Sequence, residues 1–482
     1  MKNNQLKLAV AGAVLALGST AANAGIIIPA GDWTVDLSGN INTFYSNTSY
    51  SGNLESQVLT AGVGAGSAVV QTFVDGGSGL NSSTVRTARA ATTTTLGNRT
   101  ASSGAALTDS ANQISTGLLP SAMGIGAKTR QNDLDVAIQT TFFVGANSAS
   151  GIGSTTGAYG STGAGGNSLN IRQAFLSFGD KSWGTIKMGR DLGVVGSDAI
   201  LSDMTLLGVG TGAGGAGNST LGRIGSGYLY ADWVGQIQYQ SPNFNGFQVT
   251  GAIREPLGNA SNSELGYEGK ATFDFSANDV SGRVWVGGLN QRITTAAVAA
   301  TTGSIISTTS AAGVTTTNYL DAVGAVAAVK KDARVFDVGA KVSFAGLGLV
   351  GYYYDGQNIG SSKMLLPNTP GSGLFLGDSS TQDRDVKGGY VQATYKLPVG
   401  TTVGASYGIS KIDSTSADTT AYTAALTGNY ENESWIVGAY HPLTKHLNLV
   451  GEYTNTEYQN IANFKGYDGK ARTFAAGAIL FF

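Results

Sequence analysis

Three local patterns in this 482-residue chain could carry chemistry. Gly404 to Gly408 reads Gly-Ala-Ser-Tyr-Gly, the Gly-x-Ser-x-Gly spacing that exposes a nucleophilic serine on a tight strand-to-helix elbow. Here it lies in an alternating segment that reads as strand, and such a serine also needs a histidine base. The only histidines, His441 and His446, flank a turn that holds Pro442 and Lys445. A metal could bridge them, but a polar turn is the simpler reading. Gly210 to Gly215 fits the phosphate-cradling Gly-x-Gly-x-x-Gly pattern without the strand and helix that would make a cradle of it. With no cysteine there is no thiolate metal site, no cysteine nucleophile and no disulfide. The expectation is a chain with no catalytic residues, no metal and no cofactor.

Composition narrows the class. Charged residues make up 12% of the chain, and the formal net charge is −2, so no basic footprint for nucleic acid is present. The 71 glycines are about twice the usual ~7% share. Lys2 and Lys7, the apolar run Leu8 to Leu17 and the small-residue site Ala22-Asn23-Ala24 have the three regions of a secretory signal peptide. Cleavage after Ala24 is expected, leaving residues 25–482 as one domain. Removing Lys2 and Lys7 takes the net charge from −2 to −4. No later stretch offers the ~20 consecutive apolar residues of a membrane helix.

The recurring signal is a two-residue period. Leu134, Val136, Ile138, Phe142 and Val144 alternate with Asp135, Ala137, Gln139 and Thr141, and Phe336, Val338, Ala340, Val342 and Phe344 oppose Asp337, Lys341 and Ser343. Short connections such as 130–132, 179–183, 242–246 and 345–346 take turns with long polar ones such as 145–167, 191–232, 293–333 and 358–385. Seven turns and eight loops in alternation predict sixteen strands. The fold class is therefore all-β, a transmembrane antiparallel barrel with short periplasmic turns and long extracellular loops. Closure removes the unpaired strand edges that lipid cannot satisfy. The second strand, predicted over 113–128, is interrupted by Leu118-Leu119-Pro120 and needs a bulge there. The first outer loop, 46–112, is low in complexity and cannot bury a core of its own. Twenty Tyr and five Trp suit aromatic girdles at the two membrane interfaces.

From Ser168 the chain runs Ser-Leu-Asn-Ile-Arg-Gln-Ala-Phe-Leu-Ser-Phe-Gly-Asp-Lys-Ser-Trp-Gly-Thr-Ile-Lys-Met-Gly-Arg190, and later Gln238-Tyr-Gln-Ser-Pro-Asn-Phe-Asn-Gly-Phe247. This resembles the general porins of Gram-negative outer membranes, whose hairpin reads Arg-Gln-Ala-aromatic before Gly-Thr-x-x-x-Gly-Arg, with Tyr-x-Ser-Pro-x-Phe-x-Gly-Phe further on. The resemblance implies a homotrimer of sixteen-stranded barrels in outer-membrane lipid, each with its third outer loop, here 191–232, folded inward. That loop holds Asp191, Asp198, Asp203 and Arg223. Matched by position and parity, the basic wall facing it would be Arg172, Lys187, Arg190, Arg254, Lys270 and Lys341, although strict parity with Ile186 and Met188 points Arg190 outward. The terminal Phe482 resembles the outer-membrane assembly signal. The chain lacks the acidic run that many relatives carry in the third loop.

The expected function is a water-filled channel for passive diffusion of ions and small hydrophilic solutes. A substrate-specific channel or a non-conducting structural or adhesive barrel would share the architecture. Charges survive on a wet lumen face, whereas at the lipid midplane each costs ~2–4 kcal/mol. Opposed acids and bases across a constriction would orient polar solutes and filter ions. Neutralising Arg172 and Lys187 together is expected to move the reversal potential in a salt gradient towards cations; an unchanged potential would place both away from the constriction.

Overall fold

A computed structural model describes residues 25–52, 110–146, 169–212, 219–256, 264–294, 304–311, 314–320, 330–359, 383–413, 429–459 and 469–482. The expected signal peptide and most of the first outer loop lie outside them. The strands are β1 (Ile26–Ala30), β2 (Trp33–Gly52), β3 (Ser110–Ser115), β4 (Ser121–Gln131), β5 (Leu134–Val144), β6 (Asn170–Asp180), β7 (Gly184–Leu192), β8 (Trp233–Gln240), β9 (Phe247–Arg254) and β10 (Gly266–Ala277). They continue as β11 (Val280–Thr294), β12 (Ser304–Ala311), β13 (Val314–Leu320), β14 (Lys330–Phe344), β15 (Leu347–Gln357), β16 (Asp385–Lys396), β17 (Thr402–Ile412), β18 (Tyr430–Pro442), β19 (Leu447–Gln459) and β20 (Gly469–Phe481).

Each barrel strand pairs antiparallel with its neighbours, and β2 pairs with β20 to close the ring. With β3 and β4 counted as two halves of one strand, the described residues form a closed sixteen-stranded barrel. Phe482 completes the seam by exchanging backbone bonds with Gly39 at 2.8 and 3.0 Å. Below it β1 folds back on the start of β2, Ile26 opposite Leu37, a hairpin that sequence reading missed by starting the first strand at residue 33. The loop expected over 46–112 is shorter at both ends, because β2 runs on to Gly52 against β20 and β3 starts at Ser110. The loop expected over 293–333 contains the separate β12–β13 hairpin.

Alternation decides which side chains meet lipid. On β14, Phe336 and Val338 are 51% and 41% exposed, while Val335 and Asp337 are 6% and 2% exposed. The exposed set is the outer face, and the covered set points into the lumen. Trp435 and Tyr453 pack at 5.4 Å on the outer face of β18 and β19.

The second barrel strand breaks where Pro120 predicts. Ser115 pairs with Phe44 and Ala122 with Asn40, and residues 116–120 between them leave the ladder. The side chain of Asn42 stands in for the missing strand: its Nδ2 donates to Leu119 O at 2.8 Å, and its Oδ1 accepts from Gly117 N at 2.9 Å. Its backbone N–H donates to Ser121 Oγ at 3.0 Å. Asn42→Leu keeps the volume but strands a backbone donor and acceptor, each worth about 1–3 kcal/mol when buried. The folded barrel is expected to lose its compact gel mobility at a lower temperature than wild type; an unchanged melting profile would show that water repairs the break.

Candidate functional site in the lumen

The segment between β7 and β8 forms the site. It carries a one-turn helix α1 (Ser197–Ile200) and a 3₁₀ turn (Met204–Leu207), and it is apolar along much of its length. Ile200, Met204, Leu206, Leu221 and Tyr228 are buried in one cluster with inward side chains of the wall, among them Phe44 on β2, Trp285 on β11 and Tyr390 on β16. A loop facing water would not keep these residues. Each buried side chain of this size contributes ~1.5–3 kcal/mol, so the loop packs as a second layer inside the barrel.

Backbone polarity then has to be met by the wall. Three inward carboxylates do so. Glu268 accepts from Val194 N at 2.6 Å and Val195 N at 3.0 Å, and Asp337 accepts from Gly196 N at 3.1 Å. From the opposite side, Glu452 accepts from Val209 N at 2.7 Å and Gly210 N at 2.8 Å, and its other oxygen accepts from Tyr440 at 2.6 Å. A Cβ on Gly208 would lie 2.0 Å from Glu452 Oε1, so only glycine lets this clamp close. The break in the second barrel strand has the same purpose: Leu118 N donates to Gly208 O at 2.9 Å, and Thr220 N donates to Gly117 O at 3.1 Å.

The Gly-x-Ser-x-Gly stretch is a landing place on β17. Ser406 Oγ accepts from Arg223 Nε at 2.9 Å, and Cβ atoms on Gly404 and Gly408 would lie 2.6 Å from Met204 Sδ and 2.5 Å from Ser226 O. Arg223 is fully buried; its Nη1 also donates to Ser434 Oγ at 3.1 Å and to Ser226 O at 3.4 Å. Burial lowers this guanidinium from its ordinary value, against the raising pull of Asp203.

The residues singled out by sequence separate into groups. Asp198 is salt-bridged to Lys270 at 2.6 Å and to Arg283 at 3.0 Å. Burial pushes its carboxyl up, but Lys270 and Arg283 outweigh that and hold it below the usual range. Lys187 is paired with Asp191, which also accepts from Gln173 Nε2 at 2.9 Å. Arg254 is buried against Glu268 at 2.5 Å. Arg172 is the extra residue of a bulge in β6, so it and Gln173 are both covered, and its guanidinium lies 5.0 Å from the Phe143 ring. Asp203 accepts from Thr205 N at 3.0 Å and from Tyr228 Oη at 2.7 Å, which makes it a cap within the loop. Lys341 lies inward on β14, opposite Arg283. Arg190 is corrected: it pairs with Ala174 and is exposed on the outer face, where the parity of β7 puts it. His441 Nδ1 lies 2.9 Å from Thr401 Oγ1.

The resemblance set loop acids to face wall bases across a gap; Asp198 instead touches them. Glu268, Asp337, Glu452 and Arg283 were missed. Their signal was a charge on the inward parity of a membrane strand, which the sequence shows only once the strand is fixed.

The sequence pattern of Gram-negative porins matches residues 9–461. The chain belongs to the Gram-negative porin family. No curated protein sequence matches it. Among solved structures, the outer membrane channel DcaP of Acinetobacter baumannii aligns with a TM-score of 0.52 at 14% identity, over 95% of this chain and 100% of that one. OmpF of Salmonella typhi aligns at 0.47 and 14%, over 95% and 100%, and OmpT of Vibrio cholerae at 0.48 and 13%, over 95% and 99%. DcaP supports the barrel fold. This porin is an outer-membrane channel for passive diffusion of solutes.

Glu452→Ala leaves two loop amides and a tyrosine hydroxyl without an acceptor, each costing about 1–3 kcal/mol where water cannot enter. Trypsin is expected to cut after Arg223 in the variant and to spare that bond in wild type. Equal resistance would mean that the apolar packing holds the loop without the clamp.

Proposed function

We propose that this porin assembles as a homotrimer of narrow aqueous channels for ions and small hydrophilic solutes, exported by a signal peptide cleaved after Ala24. The segment 193–232 is its constriction, and it carries out no catalysis. The supporting observation is the fastening of that segment to opposite sides of the lumen, by Glu268 and Asp337 near its start and by Glu452 and Ser406 further along. A loop held at both sides narrows the aperture and keeps its width constant. Lys187, Lys270 and Lys341 then line what remains, with Arg172 and Arg254 supporting the wall behind. Selectivity is weak in this reading, because most of the charges are already paired and two unit charges ~8 Å apart in water interact by only ~0.5 kcal/mol. The serine of the Gly-x-Ser-x-Gly stretch binds Arg223, which fits a landing place and not a nucleophile.

Purified protein inserted into a planar bilayer is expected to give current steps that close in groups of three. Single independent closures would overturn the trimer, and a folded barrel without current would favour a structural role.

A further inference from the structure

The inward charged row nearest the short turns sets one acid against two bases. Asp274 on β10, Arg283 on β11 and Lys341 on β14 are successive cross-strand partners. Two cations thus stand directly opposite each other, a pairing that destabilises a sheet unless something lies between them. Arg283 is committed: its Nε and Nη2 donate to Asp274 at 2.6 and 2.7 Å, and its Nη1 donates to Asp198 at 3.0 Å. The other oxygen of Asp198 is taken by Lys270 at 2.6 Å. Lys341 is half-buried, and among the described residues no hydrogen bond or ion pair joins its Nζ.

A second, independent feature lies one level further in. Trp285 stands on the same face of β11 as Arg283, opposite Gly339, two residues from Lys341 along β14. It is 3% exposed, and among the described residues its Nε1–H has no hydrogen-bond partner. A Cβ on Gly339 would lie 2.1 Å from the Trp285 ring, so the indole reaches across to β14. Leaving an indole N–H buried without an acceptor is destabilising. Two residues along β14 from the glycine it covers is the Lys341 ammonium, which feels the charges of Asp198 and Asp274 without pairing with either among the described residues. Both groups donate and neither accepts; Asp198 and Asp274 are engaged by Arg283 and Lys270, and Asp337, the next inward acid along β14, accepts from Gly196 N and Tyr352 Oη.

We propose that Lys341, Arg283 and the Trp285 Nε1–H form a subsite for a compact oxyanion, the carboxylate or phosphate group of a passing solute, on the short-turn side of the loop. The inference rests on the channel reading and adds the class of solute that the channel holds on its way through. An oxyanion there bridges the opposed cations and accepts a hydrogen bond from the indole N–H, while Asp198 and Asp274 are already held by bases.

The experiment compares wild type with Lys341→Gln and Lys341→Arg in planar bilayers in potassium chloride, titrating inorganic phosphate or succinate as blockers of the current. Block is expected in wild type, kept in Lys341→Arg and weakened about fivefold in Lys341→Gln, the effect of one unit charge ~4 Å away in a water-like dielectric. Which blocker acts identifies the carboxylate or the phosphate as the group recognised. Equal block in wild type and Lys341→Gln, or none in either, overturns the site while leaving the channel standing. A parallel titration follows tryptophan fluorescence in detergent, with Trp285→Phe as the control. A saturable change lost in that variant supports the site even in a barrel that carries no current, and no change in wild type overturns it. That arm separates failure of the site from failure of the channel reading, and Trp285→Phe serves the current measurement too if Lys341→Gln does not fold.

Discussion

Lipid offers a backbone amide no partner, and the rest of this barrel follows from that. The sheet must close, so β2 meets β20 and Phe482 completes the last pair with Gly39. Once the ring is closed, an outward side chain meets hydrocarbon and an inward one meets the lumen, and a one-residue slip would exchange every pair. The alternation on β14 is the price of closure written along a single strand. Where the ladder fails, at residues 116–120, a side chain has to take over, and Asn42 does so.

The same requirement reappears inside the lumen. A loop folded into a barrel brings its own amides, and strands that are already paired cannot accept them. Glu268, Asp337 and Glu452 are the wall's answer, and each stands on the inward parity of its strand. Carboxylates suit the task because a charged acceptor makes stronger hydrogen bonds than a neutral one. This sets the electrostatics inside the lumen. Asp198, Lys270 and Arg283 form contacts that fasten the loop, so their fields largely cancel at short range.

Much of the barrel was legible in the sequence because its determinants are local. A period of two, a turn after each strand and a proline at 120 can be read without knowing what packs where. The hairpin motif from Ser168 to Arg190 and the turn from Gln238 to Phe247 identified the family for the same reason. The lumen was harder to read because it is assembled from distant pieces. Glu452 meets Val209 across 243 positions, and Glu268 meets Val194 across 74. Parity marked these acids as inward without saying which segment they would face. Arg190 shows the rule working against resemblance: the motif suggested a wall residue, and the strand period put it on the outer face. The Gly-x-Ser-x-Gly stretch shows a motif with a different physical purpose, since its two glycines make room for the loop and its serine receives Arg223.

A loop fastened at both sides of the lumen stays fixed while the channel conducts, and a cross-link tests this. Ser226 of the loop and Ser434 of β18 have their Oγ atoms 3.2 Å apart, and the chain has no cysteine of its own. Replacing both, Ser226→Cys with Ser434→Cys, allows one disulfide and no other. A fixed loop predicts that the bond forms under oxidation and that single-channel conductance is the same before and after reduction. Failure of the bond to form in a folded barrel, or a several-fold rise in conductance on reduction, would contradict it.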